Sequence, residues 1–130
     1  MTTKPGLPAN FKPLEQGQVI WKGSLEEGSL RKLITVINKD LAGSELLVVG
    51  LAIFEPGQVA PIHVHPDSEE FDLVLRGRAQ LYRESGEKID LAEGDIQFIP
   101  KGAPHAHGNP GDEPLWLLFA YTPPTDLPAK

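Results

Sequence analysis

Gly57 to Gly77 reads GQVAPIHVHPDSEEFDLVLRG, and Gly94 to Asn109 reads GDIQFIPKGAPHAHGN. All four histidines of the chain fall in these two stretches, as His63-Val64-His65 and His105-Ala106-His107. In a strand, residues i and i+2 point to the same side, about 7 Å apart along the backbone. Each pair therefore offers two imidazoles to one face, and neutral imidazole is the commonest metal ligand. Alone, such a pair reads equally well as a polar strand face. Its surroundings add to the signal. Pro56-Gly57 turns the chain before His63, and Glu70 follows His65 after Pro66-Asp67-Ser68-Glu69, a loop able to return a carboxylate to the same mouth.

Working outward, Gly and Pro each occur 13 times and punctuate short runs of β-branched, leucine and aromatic residues. The runs are Val19–Lys22, Lys32–Ile37, Leu46–Phe54, Val59–Val64, Phe71–Leu75, Arg78–Arg83, Lys88–Leu91, Asp95–Ile99 and Leu115–Tyr121. Strand-length segments at this spacing predict an all-β sandwich or barrel. No window carries an apolar repeat at helical period, and Lys39–Ala42 is expected to form one turn at most. Leu46–Phe54 and Leu115–Tyr121 are apolar on both faces, which suggests a second sheet or another chain on the outer side and favours a homodimer. Trp21, Phe54, Phe71, Phe98, Trp116 and Phe119 are expected to build core. The chain suits a single domain over 1–130, with 1–12 and 123–130 as surface arms.

Composition removes several function classes. Twelve basic against 18 acidic side chains give a net charge of −6, which argues against a nucleic-acid partner and against an anionic membrane surface. With no cysteine, disulfides, thiolate zinc sites, iron–sulfur clusters and a cysteine nucleophile are all excluded. Met1-Thr2-Thr3-Lys4-Pro5-Gly6 carries no signal-like apolar run, and a cytoplasmic protein is the expectation.

The two histidine stretches resemble the cupin superfamily of small β-barrels. The first cupin motif, G(x)5HxH(x)4E(x)6G, matches Gly57, His63, His65, Glu70 and Gly77 without a gap. The second, G(x)5PxG(x)2H(x)3N, matches Gly94, Pro100, Gly102, His105 and Asn109. Arg78–Glu93 between them reads as a hairpin around Ser85-Gly86. The resemblance implies a jelly-roll barrel holding one divalent transition metal on His63, His65, Glu70 and His105, with Glu69 left facing solvent. Three imidazoles and a carboxylate suit Fe(II) or Mn(II), and are compatible with Ni(II), Co(II) or Zn(II). Because the ligands must be deprotonated, affinity is expected to fall below about pH 6.5.

Membership does not fix a reaction, because one barrel hosts many chemistries. Parity from Glu70 places Asp72 and Val74 on the metal side, and Asp72 departs from the apolar, aromatic or small residues common there in the superfamily. His107 shares a side with His105. Asp72 and His107 are therefore the catalytic candidates, as acid or base beside the metal. Gln97 reads as a pocket hydrogen-bonder or an outward residue, the side of Gln80 and Tyr82 is open, and Arg76 and Arg78 are left outside the site. A small-molecule substrate is expected. O2-dependent oxygenation is the first reading, followed by an isomerase, lyase or decarboxylase, and by a binding module without turnover.

Overall fold

The computed structural model describes residues 7–125. Among the described residues nine strands form two antiparallel sheets: β1 (Gln18–Lys22), β2 (Arg31–Ile37), β3 (Val48–Phe54), β4 (Glu69–Arg76), β5 (Ala79–Arg83), β6 (Lys88–Leu91), β7 (Ile96–Ile99), β8 (His105–Gly108) and β9 (Leu115–Thr122). The larger sheet has the order β1-β2-β3-β9-β4-β7 and the smaller β6-β5-β8. The all-β expectation holds, and most strands lie within two residues of the expected runs.

One expected strand is not formed. Residues 59–64 run beside β8 through only two isolated bridges, Val59 to Gly108 and His63 to His105. Pro61 interrupts them, because proline has no N–H to give to a ladder. The contact is nonetheless firm: Ala60 N donates to the His107 carbonyl, and His63 and His105 exchange both backbone bonds at 2.9 and 3.0 Å.

Two short helices accompany the sheets. The expected turn at Lys39–Ala42 is α2, capped by the Asn38 side chain, which accepts from the Leu41 N–H at 2.8 Å, and ended by Gly43 in the left-handed region. The other, α1 at Pro13–Gln16, was not expected from periodicity because one turn is too short to show a period. Pro13 presets its first φ, and the Lys12 N–H donates to Gln16 Oε1 at 2.7 Å. Among the described residues no helix is long and apolar enough to cross a membrane.

The main core lies between the sheets and includes Leu33, Phe54, Val74, Leu115, Leu117, Phe119 and Tyr121. A second cluster on the outer face of the larger sheet joins Ile34, Val36 and Leu51, with Phe11, Ile53, Trp116 and Leu118 packed against it. The double-faced apolar character of β3 and β9 thus serves two layers. Three aromatics assigned to core from sequence are not there: Trp21 and Phe98 are each 60% exposed and Phe71 45%. All three fall on the outward parity of their strands, where apolar character alone does not guarantee cover. Of the expected arms, residues 7–12 and 123–125 are largely exposed, although Phe11 packs on the second cluster; 1–6 and 126–130 lie outside the described residues.

The hairpin between β5 and β6 turns at Ser85-Gly86 as expected, with Gly86 at φ +92°. Gly77 sits at φ +84°, where a Cβ would also meet the Pro114 carbonyl oxygen at 2.8 Å. That crowding fixes the β4–β5 corner at a residue without a side chain.

Candidate metal centre

His63 and His105 face each other across the bridge that ties residues 57–63 to β8, with ring centroids 4.4 Å apart. His65 lies two residues on, and its ring is 5.1 Å from His63 and 5.7 Å from His105. Glu70 enters from β4, buried to 4% exposure, while its neighbour Glu69 faces out. Glu70 Oε1 stands 3.1 Å from His105 Nε2 and 3.2 Å from His65 Nε2. The ligand atoms of His63, His65, Glu70 and His105 all lie within 4.8 Å of one another.

This geometry fits a divalent ion. Ligands about 2.1 Å from a metal and at right angles are about 3.0 Å apart, close to the Glu70 contacts. Tautomers fit as well. His63 Nδ1 donates to the Pro61 carbonyl at 3.1 Å and His105 Nδ1 to the Ala103 carbonyl at 2.9 Å. Both rings therefore keep Nε2 for the centre of the cluster. His65 Nε2 is buried without a hydrogen-bond partner, an orphan that an ion would satisfy.

Electrostatics separates His63, His105 and Glu70. Burial lowers His63 to about 4, keeping it neutral. Burial also opposes charge on His105, but the hydrogen bond and charge of Glu70 outweigh it and hold His105 above the ordinary imidazole value. Burial would raise Glu70, yet the imidazoles of His105 and His65 hold it well below the usual carboxylate range. Glu70 and His105 thus each favour the charged form of the other.

A second group adjoins the first. Asp72 and His107 face inward with 1% and 5% exposure, and their ligand atoms lie within 4.8 Å of that of Glu70. Burial, then the charge of Glu70, pushes Asp72 well up, whereas burial lowers His107 to about 4. The Asp72 carboxyl, which its surroundings push toward the neutral form, stands 3.7 Å from the His107 imidazole, too far for a direct hydrogen bond. Both Asp72 oxygens and His107 Nε2 lack partners. Gln97, opposite Asp72 in the β4–β7 register, also turns inward and buries both amide atoms unpartnered. Gln80 and Tyr82 face away from the cluster, bonded to each other at 2.9 Å, and Arg76 lies over Trp116 on the outer face.

A cavity of about 40 Å³ opens onto the cluster, lined by His63, Glu70, Asp72 and His107 and walled by Phe54, Leu117 and Phe119. Two further lining residues escaped the sequence reading. Tyr121 packs its ring 4.4 Å from that of His65, and Arg31 comes in from the start of β2. The run Arg31–Ile37 is apolar on both faces, so its parity could not be assigned without the sheet.

The sequence profile of the cupin domain family matches residues 50–121, more than half of the chain. This chain is a cupin. Among curated relatives, polyketide synthase CurC of Streptomyces cyaneus is 34% identical over 78% of this cupin and 64% of its own length. Gentisate 1,2-dioxygenase of a Ralstonia species is 28% identical over 70% of this cupin, and oxalate decarboxylase OxdC of Bacillus subtilis 25% over 85%. The cupin spans only 27% and 28% of those two chains. Among solved structures, an uncharacterized Klebsiella pneumoniae protein with a double-stranded β-helix domain superposes with a TM-score of 0.71 at 25% identity, covering 90% of this cupin and 91% of that chain. The cupin's relatives therefore include a dioxygenase and a decarboxylase, and its histidine–carboxylate cluster is suited to a metal ion.

Proposed function

We propose that this cupin is a mononuclear metal-dependent enzyme acting on a small organic molecule, with O2-dependent oxygenation as its chemistry. The observation that carries it is the convergence of four ligand atoms with two imidazoles locked by backbone carbonyls into the ligating tautomer. His63, His65, Glu70 and His105 would hold Fe(II) or Mn(II), and the bound ion would supply Lewis acidity and open coordination positions. The similarity to gentisate 1,2-dioxygenase supports the oxygenase reading. Asp72 and His107 handle protons: buried side by side, one as an acid and the other as a free base, they can give and take a proton at a bound molecule. Leu117, Phe54 and Phe119 keep water away from that exchange.

Metal analysis of protein purified without added ions tests the first part. About one equivalent per chain is expected, with a loss of thermal stability on chelation; neither would be seen in a purely structural barrel. Oxygen uptake with Fe(II) and a panel of enols, catechols and β-diketones tests the second. A metal-replete protein that consumes no oxygen with any of them removes oxygenation. A proton-transferring isomerase, lyase or decarboxylase is then the reading, favoured by the buried Asp72 carboxyl whose proton is held more tightly than usual. In either case Asp72→Asn should leave metal content intact and lower turnover by about 100-fold or more. Unchanged turnover would take Asp72 out of the mechanism.

A further inference from the structure

Glu70 and Asp72 stand two positions apart on β4, and His105 and His107 two positions apart on β8. Residues so spaced share a face, so each strand adds one donor beyond the four ligands. Glu70, Asp72 and His107 offer ligand atoms that all lie within 4.8 Å of one another. Asp72 is 1% and His107 5% exposed, and neither Asp72 oxygen nor His107 Nε2 has a hydrogen-bond partner. Buried polar atoms left in that condition cost free energy. Their spacing suits an ion better than a proton. Asp72 Oδ2 and His107 Nε2 are 3.7 Å apart, beyond hydrogen-bond reach. Two ligands held at about 2.1 Å by a tetrahedral ion stand about 3.4 Å apart.

We infer a second divalent-ion site, formed by Glu70, Asp72 and His107 and filled only when the ion is in excess. Once filled, it takes Asp72 and His107 out of proton transfer and so slows turnover. The site itself goes beyond the mononuclear reading above; only its effect on turnover rests on that reading. Glu70 serves both sites. Its Oε1 lies against His65 and His105, and an ionised carboxylate accepts at about four positions on its two oxygens. Chemistry agrees. Two carboxylates and one imidazole, with water at the remaining positions, suit Mn(II), Fe(II) or Zn(II). An ion between Glu70 and Asp72 also offsets two like charges that would otherwise repel at close range. Affinity is lower than at the first site. One of the three ligands is shared, and the ion meets the like charge of the first ion and of Arg31 in the same cavity.

Mn(II) titrated into the metal-free protein tests the assignment, with calorimetry for stoichiometry and electron paramagnetic resonance for proximity. Two classes of site are expected, the second at least about tenfold weaker. The manganese hyperfine lines should broaden as the second class fills, because ions sharing a carboxylate are magnetically coupled. Asp72→Asn and His107→Gln should each keep the first class and lose the second. His63→Ala should weaken the first class by about tenfold or more and still hold an ion at the second. Melting temperatures show which variants fold, and either the Asp72 or the His107 variant suffices. A single class up to about 1 mM Mn(II), lost in His63→Ala and kept in Asp72→Asn, would overturn the second site and leave the mononuclear reading standing. A single class lost in Asp72→Asn and kept in His63→Ala would instead sink the four-ligand centre. Uptake of no ion sinks both. A second class that survives Asp72→Asn and His107→Gln lies elsewhere and refutes the assignment. Oxygen uptake that stays constant as the second class fills would refute the effect on turnover.

Discussion

His105 shows how one residue can carry two states of a site. Its Nδ1 lies 2.9 Å from the Ala103 carbonyl and its Nε2 3.1 Å from Glu70 Oε1, so the carboxylate beside it favours a proton on the same nitrogen that a metal would use. A metal must displace the Nε2 proton. Because Glu70 raises His105, that proton is held at higher pH than on an ordinary imidazole, and competition begins above about 6.5. His63, lowered by burial to about 4, takes no part in this window. Metal affinity should therefore fall about tenfold per pH unit on the acid side of the His105 titration, as one proton is released per ion. Competition titrations with a chelator between pH 6 and 8 check this; a flat profile would contradict it. The stability of the ion-free protein has the opposite sense. A raised folded-state value means the His105–Glu70 contribution is complete below the ordinary imidazole value and fades as pH rises through the raised one. The sequence placed the onset below 6.5 from the reference imidazole, since no spacing rule shows how closely a carboxylate will approach one histidine.

At the level of elements, the site depends on how residues 57–63 are held to β8. Asn109, 1% exposed at the end of that strand, donates from Nδ2 to the carbonyls of Phe54 at 2.9 Å and Glu113 at 2.7 Å, and its Oδ1 accepts from the Gly111 N–H at 2.9 Å. It thus closes its own turn over residues 109–113 and ties that turn to the end of β3. Asn109→Ala removes these bonds and strands buried carbonyls, a loss of about 3 kcal/mol. Urea unfolding should show a lower midpoint at unchanged slope; a shift below about 0.5 kcal/mol would mean that water replaces the amide. The sequence reading had Asn109 tying down a turn through its side chain, as its bonds to Gly111 and Glu113 do, but no spacing rule shows the bond that crosses to Phe54. The alternation after Glu70 was legible, so the inward placement of Asp72 followed from parity alone. Where an element is one turn long, as α1 is, or is broken by Pro61, no period survives to be read.

At the scale of the whole molecule, the described residues leave an apolar strip uncovered. Phe71 pairs with Phe98 and Leu73 with Ile96 on the outer face of β4 and β7, and Ile96 and Phe98 are 67% and 60% exposed. Among the described residues β7 pairs with β4 alone and forms an edge of the larger sheet. Its short run Ile96–Ile99 carries none of the charges or prolines that usually blunt such edges. We propose that a second copy covers it. A two-fold axis at Phe98 would set Asp95 of each copy opposite Lys101 of the other, an isologous match. Light scattering should give twice the chain mass, and Ile96→Lys with Phe98→Lys should give the monomer with its metal content unchanged. A monomeric wild type at tens of micromolar would refute the interface. From sequence, a partner was inferred from β3 and β9, whose outer residues Leu51, Ile53, Trp116 and Leu118 belong to the second cluster, and the more exposed strip on β4 and β7 was not singled out. Hydrophobic runs report that a face needs cover and are silent on which layer supplies it.

The carbonyl that fixes each ring, Pro61 for His63 and Ala103 for His105, lies just two positions earlier in the chain. Nitrogen orientation is thereby a short-range property, available to a hairpin-sized fragment, while bringing the rings together is a long-range one. Ion capture and closure of the β-roll should consequently be a single kinetic event during refolding, with no slow reorientation of imidazoles after the chain has collapsed.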